Sequence, residues 1–346
     1  MISRVINEKD IDKVRNLLVG SDKIVITCHL TPDGDAIGSS LGLMHTLNAI
    51  GKNAVVVTPD LVPKSLQFLP GVKDTLAFTR HEEYVTRLLA EADLVFCLDF
   101  NESRRVDRME PALLASKAPK VMIDHHLYPG DFADVIISHP EASSTSMLVF
   151  RVLCRLELFD RIDRRAAECI FTGMMTDTGN FSYNSNEPDL YTVIAELLRK
   201  GIDKDALYQR ACNTFSESSL RLNGYALSEK MQIFPDHRCS LITLDENELA
   251  RFNYEKGDTE GLVNRPLAMP EVVWSIYLRR DPNQIKISMR SKGQFPVNKV
   301  CSELFGGGGH LNAAGAEFKG SLRECVDILI QAMPAYDKYL PKTKNK

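Results

Sequence analysis

What this 346-residue chain lacks narrows the reading first. No uninterrupted apolar run is long enough to cross a bilayer. The N-terminus, Met1-Ile2-Ser3-Arg4-Val5, runs into Glu8 and Asp10 without the apolar core of a signal peptide, so a cytoplasmic protein with no membrane partner is expected. Its cysteines, at 28, 97, 154, 169, 212, 239, 301 and 325, stay apart, the nearest two (Cys154 and Cys169) being fifteen positions from one another. That spacing excludes CxxC-type zinc and redox motifs and argues against a disulfide framework; Cys28 and Cys97, inside apolar runs, read as small buried hydrophobes. Basic residues do not gather into a stripe. The net charge is −4, and the arginines occur as isolated pairs (Arg104-Arg105, Arg164-Arg165, Arg279-Arg280), with only a short tail of Lys342, Lys344 and Lys346. Binding to long duplexes, which rests on many phosphate contacts, is therefore not expected. P-loop and GxGxxG signatures are missing as well, which removes nucleotide hydrolysis coupled to mechanical work.

What is present is a globular composition, 44% hydrophobic and 25% charged, on a chain long enough for two domains with sizeable cores. The first half alternates short β-branched runs with helical patterns. Strands are expected at 23–28, 54–57, 94–98 and 121–123, with a helix at about 36–50 ending at Gly51. Such alternation predicts an α/β fold, a mostly parallel sheet flanked by helices. Helical patterns follow at 144–156, 163–175 and 188–200. The expected organisation is a catalytic domain over 1–200, a helical linker over 201–230 and a smaller α/β domain over 231–340. In the latter, 272–278 and 285–289 read as strands joined by the turn Asp281-Pro282-Asn283-Gln284, and a helix near 297–305 leads into Gly306-Gly307-Gly308-Gly309.

Three of the expected strands end in side chains able to hold a metal: His29-Leu30-Thr31-Pro32-Asp33-Gly34-Asp35, then Asp99, then Asp124-His125-His126. Ligands of open parallel sheets bind beyond the carboxyl ends of the strands, so these segments are expected to converge. Asp177 follows a helix and is expected in a Gly- and Thr-rich turn, Thr176-Asp177-Thr178-Gly179. Each piece has a plainer reading. Asp35 suits a helix cap, Asp177 an Asx turn, and His125-His126 one buried and one exposed imidazole. Those readings do not account for the joint pattern. A set of imidazoles and carboxylates without thiolate suits Mn²⁺, Mg²⁺, Co²⁺ or Fe²⁺ rather than structural zinc, and Asp33, Asp35, Asp99 and Asp177 carry charge for two divalent cations, the usual device for in-line displacement at phosphorus.

With these motifs in order, the chain resembles the DHH phosphoesterases, whose name matches Asp124-His125-His126. The resemblance covers nearly the whole chain and extends to a DHH-associated C-terminal domain through Ile285-Lys286-Ile287-Ser288-Met289-Arg290-Ser291 and Phe305-Gly306-Gly307-Gly308-Gly309-His310-Leu311-Asn312. It implies that His29, Asp33 and Asp99 hold one metal and that Asp35, Asp99, His125 and Asp177 hold a second, with Asp99 shared and Mn²⁺ the foremost ion. Asp124 would orient an imidazole, and His126 would contact the scissile phosphate or protonate the leaving group. Arg290, Ser291, Gly307, Gly308, Gly309, His310 and Asn312 would bind substrate, Arg290 and His310 holding a terminal phosphate.

Within the family the compact branch of nanoRNases with activity on 3′-phosphoadenosine 5′-phosphate (pAp) fits best, which implies short RNA or small nucleotides as substrates. Cyclic di-AMP or pApA cleavage is the alternative, and a catalytically silent nucleotide-binding regulator is the reading from another class. RecJ-like exonucleases need further domains, and family II pyrophosphatases lack the glycine-rich histidine motif. A homodimer is one option for assembly, which the sequence leaves open.

Overall fold

The β-branched runs of the first half pair, in the computed structural model, into one all-parallel sheet. Residues 5–213 and 215–341 are described, so Met1 to Arg4 and the lysine tail lie outside the described residues. The chain divides into two units, Met1–Thr214 and Phe215–Lys346.

In the first unit the strands are β1 (Lys23–Thr27), β2 (Asn53–Thr58), β3 (Leu76–Ala77), β4 (Leu94–Leu98), β5 (Lys120–Asp124) and β6 (Val135–Ser138), ordered β3-β2-β1-β4-β5-β6. The helices are α1 (Glu8–Val19), α2 (Gly34–Asn48), α3 (Phe78–Glu91), α4 (Glu110–Ala115), α5 (Thr145–Arg155), α6 (Arg164–Asp177), α7 (Pro188–Arg199) and α8 (Lys204–Cys212). Side chains alternate along each strand, as a sheet covered on both faces requires. Ile24, Ile26, Leu94, Phe96 and Leu98 join the core under α1, α2, α5 and α6. Val25, Val95 and Cys97 join the opposite core with Phe78 and Val85 of α3 and Leu113 of α4. Burial pushes the Cys97 thiol up to about 12, in keeping with a small hydrophobe. Chain order reverses between β1 and β4, which opens a crevice at their carboxyl ends.

The tightest packing is between α2 and α6. A Cβ on Gly34 would lie 2.2 Å from Thr176 Oγ1, on Gly38 2.5 Å from the Cys169 carbonyl, and on Gly42 2.4 Å from Ile170 Cγ1. Glycine every fourth residue puts one bare stripe on a helix face and lets the two backbones touch. That contact sets where the C-terminal end of α6 lies.

One expectation is corrected here. Asp177 is the last residue of α6 rather than part of a turn beyond it. Its threonine neighbours are accommodated in the helix with their hydroxyls bonded back to carbonyls four residues earlier, Thr172 to Glu168 at 2.7 Å and Thr176 to Thr172 at 2.9 Å. Thr178 is the C-cap, and Gly179 after it turns the chain away with φ +55°. The stretch 201–230, read as a connector, is shared out: α8 adds Leu207 to the first core, while α9 (Glu217–Tyr225) adds Leu222 to a cluster of the second unit.

The second unit holds β7 (Gln232–Phe234), β8 (Cys239–Leu244), α10 (Glu246–Arg251), β9 (Trp274–Asp281), β10 (Gln284–Ser291), α11 (Val297–Phe305), β11 (Gly308–His310), β12 (Ala313–Phe318) and α12 (Leu322–Tyr336). Its sheet runs β11-β12-β10-β9-β8-β7, antiparallel except for the β8–β9 pair. Asp281 pairs with Gln284, so Pro282 and Asn283 make a two-residue hairpin loop. Helices α11 and α12 cover one face through Val300, Cys301, Cys325 and Leu329. The glycine run is not all loop: Gly306 (φ +65°) ends α11, and Gly308 and Gly309 enter β11 against β12.

Candidate active site

Strands β1, β4 and β5 are neighbours, so the residues that leave their carboxyl ends emerge side by side. His29 lies two residues past β1. Asp33 caps α2, its Oδ1 accepting from the amides of Asp35 and Ala36 at 3.0 Å each, and Asp35 sits in the first turn. Asp99 follows β4 with a left-handed backbone (φ +64°), a conformation costly for any residue with a Cβ, and its amide donates to the Ile123 carbonyl at 3.1 Å. Asp124 ends β5, with His125 and His126 just beyond.

These residues form two groups around Asp99. Its Oδ2 is 3.4 Å from His29 Nε2, and Asp33 Oδ1 is 3.8 Å from the same nitrogen. Its Oδ1 is 3.6 Å from His125 Nε2, which also faces Asp177 Oδ2 at 3.5 Å and Asp35 Oδ2 at 4.0 Å. Within each group, His29–Asp33–Asp99 and Asp35–His125–Asp177, the donor atoms lie within 4.8 Å of one another. Asp99 is 2% exposed and is reached by imidazoles from both sides.

The donor set fits divalent cations on three counts. His29 Nδ1 lies 2.8 Å from the Leu30 carbonyl and His125 Nδ1 3.2 Å from that of Ala142. A carbonyl only accepts, so each ring holds a proton on Nδ1 and turns Nε2 toward carboxylates, the arrangement of a histidine ligand. Separations of 3.4–4.0 Å are mostly long for hydrogen bonds. Two ligands on one ion with bonds of about 2.1 Å stand roughly 3–3.6 Å apart. Third, the charges are unbalanced without a cation. Burial would strip the second proton from His29, but Asp33 and Asp99 outweigh it and raise its imidazole well above the ordinary value. Burial and the charge of Asp99 push Asp35 up to about 7, against the pull of His125 and Ser146. Burial, then Asp35 and Asp99, likewise raise the Asp177 carboxyl. Carboxyls raised in this way mark crowded negative charge, which a divalent cation would offset. Asp99 itself is held well below the carboxylate range, because His29, His126 and His125 overcome the effect of its burial.

His126 adjoins the two groups: its Nδ1 lies 3.8 Å from Asp99 Oδ1, and with Asp99 and Asp124 it forms a further cluster of donor atoms. Its Nδ1 donates to Asp124 Oδ1 at 2.8 Å and its amide to Asp124 Oδ2 at 3.1 Å. The fully buried Asp124 thus fixes the imidazole tautomer, with the ring proton on Nδ1.

Sequence reasoning missed the cradle behind the carboxylates. The first turn of α5 supplies it: the amides of Thr145 and Ser146 donate to Asp35 Oδ2 and Oδ1 at 2.6 and 2.8 Å, and the Thr145 hydroxyl donates to Asp99 Oδ1 at 2.9 Å. Ser144 caps the helix on the Met147 amide. The run Ser143-Ser144-Thr145-Ser146 carries a visible helix-start signal, but no ionisable group marks it as part of a site. Gly173 of α6 was also unmarked; a Cβ there would lie 1.9 Å from Ser146 Oγ and 2.9 Å from Asp35 Oδ1.

In the second unit, Arg290 of β10 and His310 of β11 both take Ala313 of β12 as register partner. Residues in one row across a sheet share a face, so the arginine and the imidazole flank a methyl group from strands roughly 10 Å apart. The other expected binding residues have neighbours of their own. Ser291 Oγ donates to the Phe295 carbonyl at 2.6 Å and accepts from Asn312 Nδ2 at 2.8 Å, and Asn312 also donates to Gly293 O at 3.0 Å. Gly307 and Gly309 pack on β12, where a Cβ on either would lie 2.3 Å from a carbonyl oxygen, while Gly308 has open space.

Comparison with known proteins agrees with this layout. The model of the DHH family N-terminal domain matches residues 23–174 and that of the DHHA1 domain residues 242–335. The bifunctional oligoribonuclease and PAP phosphatase NrnA of Thermus thermophilus is 34% identical over 314 residues, 90% of this chain and 89% of that protein. The cyclic-di-AMP phosphodiesterase PdeA of Listeria monocytogenes is 26% identical over 94% of this chain, which spans only 49% of that protein. The crystal structure of an exopolyphosphatase-related protein from Bacteroides fragilis superposes with a TM-score of 0.95 at 50% identity, covering 97% of this chain and 99% of that one. Among the described residues no helix is long and apolar enough to cross a membrane. With both domain models matched in order and relatives 34% and 50% identical over 90% and 97% of its length, the chain belongs to the DHH family of phosphoesterases.

Proposed function

We propose that this protein hydrolyses short oligoribonucleotides and pAp in the cytoplasm, by water attack on phosphorus at a centre of two divalent cations, Mn²⁺ foremost. The observation that carries the reading is the sharing of Asp99 between two groups of donors, His29 and Asp33 on one side and Asp35, His125 and Asp177 on the other. His29, Asp33 and Asp99 would hold one ion, and Asp35, Asp99, His125 and Asp177 the other. Such a pair supplies an activated water and neutralises phosphate charge.

The chain's own residues divide the remaining tasks. Asp124 keeps the His126 proton on Nδ1, so that Nε2 can contact the scissile phosphate or pass a proton to the leaving oxygen. Arg290 and His310, in one row of the second sheet, hold a terminal phosphate of the substrate. Ser291 and Asn312 keep the adjacent turn in shape. A clamp on a terminus gains little from added nucleotides, and each one must be ordered and desolvated. The net charge of −4 offers no basic track for a long strand.

The Thermus thermophilus relative named as an oligoribonuclease and PAP phosphatase is matched over 89% of its length at 34% identity, against 49% at 26% for the cyclic-di-AMP phosphodiesterase, which favours this reading over cleavage of cyclic di-AMP or pApA. The test is kcat/KM with Mn²⁺ on pAp, pApA, cyclic di-AMP and an RNA series from a dinucleotide to about a 24-mer. Efficiency is expected to fall with length. Equal or rising efficiency at the long end points to a processive exonuclease, and a clear preference for cyclic di-AMP to the second reading. No turnover of any of them leaves a nucleotide-binding regulator.

A further inference from the structure

The loop that follows His126 carries an aromatic side chain that the chemistry above does not use. Tyr128 is 83% exposed, and Leu127 beside it 40%. Single exposed aromatics are common on protein surfaces, but here two large side chains stand exposed side by side on one short loop, with the ring almost wholly in water. Its backbone is also left-handed, with φ +60°, a conformation that a bulky side chain resists. Strain of this kind persists only where the surroundings enforce it.

Asn101 enforces it. Its Nδ2 donates to the Leu127 carbonyl at 2.7 Å and to the Tyr128 carbonyl at 3.3 Å, and its own carbonyl accepts from the Gly130 amide at 2.7 Å. Asn101 lies two residues past Asp99, and Tyr128 two residues past His126. The loop is thus tied to the same two strand ends that carry the shared carboxylate and the His126 imidazole. Two residues of chain span at most about 7 Å, which places the Tyr128 backbone at the rim of the site.

We propose that Tyr128 is a nucleobase platform: it stacks the base of a nucleotide next to the scissile phosphate, with Asn101 as the residue that positions it. An aromatic face accepts any base and needs no hydrogen-bond code, which suits an enzyme for short RNAs of unspecified sequence. The same ring serves the adenine of pAp. This inference rests on the nucleotide-hydrolase reading above and adds a substrate-binding residue to it.

The experiment uses the full chain with Mn²⁺ and compares Tyr128→Ala, Tyr128→Phe and Tyr128→Gly on a dinucleotide and on abasic versions of it, with the base removed from one side or the other. Tyr128→Ala is expected to raise KM on the intact dinucleotide about tenfold with kcat nearly unchanged, and Tyr128→Phe to restore it. One abasic substrate should lose the difference between wild type and Tyr128→Ala, which also shows which base is stacked. Tyr128→Gly, which suits a left-handed backbone, should match or exceed wild-type thermal stability while showing the same KM defect. Unchanged KM in Tyr128→Ala overturns the proposal, as does an equal loss on intact and both abasic substrates, which would mean a loop defect. A wild-type chain that turns over no nucleotide overturns the functional reading itself and this inference with it.

Discussion

The hydroxyl of Thr145 donates a 2.9 Å hydrogen bond to Oδ1 of Asp99, the oxygen that faces His125, while Oδ2 faces His29. Both Thr145 and Asp99 are buried, and the bond turns the carboxylate so that each oxygen serves one of the two groups. A carboxylate free to rotate would present either oxygen to either side.

Removing that hydroxyl should therefore act through the metals. Thr145→Val is expected to weaken Mn²⁺ binding by roughly tenfold to a hundredfold, the usual cost of losing a partner of a metal ligand, and to lower kcat more than it raises KM. Thr145→Ser should restore most of both. Calorimetric titration with Mn²⁺ checks this without reference to turnover; wild-type affinity in Thr145→Val would make the hydrogen bond incidental.

Asp99→Asn goes further, since it removes the charge the two groups share. Binding of both ions and hydrolysis are expected to be lost, with far-UV circular dichroism unchanged. Retention of two ions per chain and turnover within tenfold of wild type would remove Asp99 from its bridging role.

Arg290→Ala tests the second unit. A charge-assisted contact to phosphate contributes about 1.5–3 kcal/mol, so KM should rise roughly tenfold to a hundredfold while Mn²⁺ binding stays as it was. Ser291→Ala, by contrast, removes the bond to the Phe295 carbonyl and one of the two partners of Asn312, and should lower the melting temperature more than the affinity. Identical kinetics in Arg290→Ala on every nucleotide would exclude the arginine from binding.

A pH dependence follows from Glu248, away from the metal groups. Burial would raise its carboxyl, but Lys230 at 2.6 Å, the Asp245 amide at 2.9 Å and Tyr225 at 2.7 Å outweigh it and hold the pKa below the ordinary 4.5. A depressed folded pKa contributes stability that is present above the unfolded value and is lost as pH falls through the folded one. Glu248→Gln is then expected to cost about 1 kcal/mol at pH 7, with the gap to wild type closing below about pH 4. Denaturant midpoints at several pH values measure it, and a constant gap down to pH 3 would count against the ion pair as its source.

The sequence by itself determined the parts that depend on local chemistry. Strand runs such as 94–98 are short and apolar throughout because both faces are buried, which separates them from the amphipathic helices between, and His29, Asp33, Asp35, Asp99 and Asp124 to His126 stand out because each lies at or beyond the end of a strand and each can ionise or bind a metal. The end of α6 was misread, because threonine and glycine around Asp177 mark a turn when taken residue by residue, whereas packing against the glycine face of α2 carries the helix through Asp177. What only the tertiary structure decided are relations between distant segments. The contact of Gly34, Gly38 and Gly42 with α6 places Asp177 beside His125, and the first turn of α5 brings Thr145 to Asp99 from 46 residues away. The β12 register puts Arg290 and His310 on either side of Ala313. A glycine, a threonine hydroxyl and a strand register have no chemical signature of their own; each acquires its role only from what packs against it.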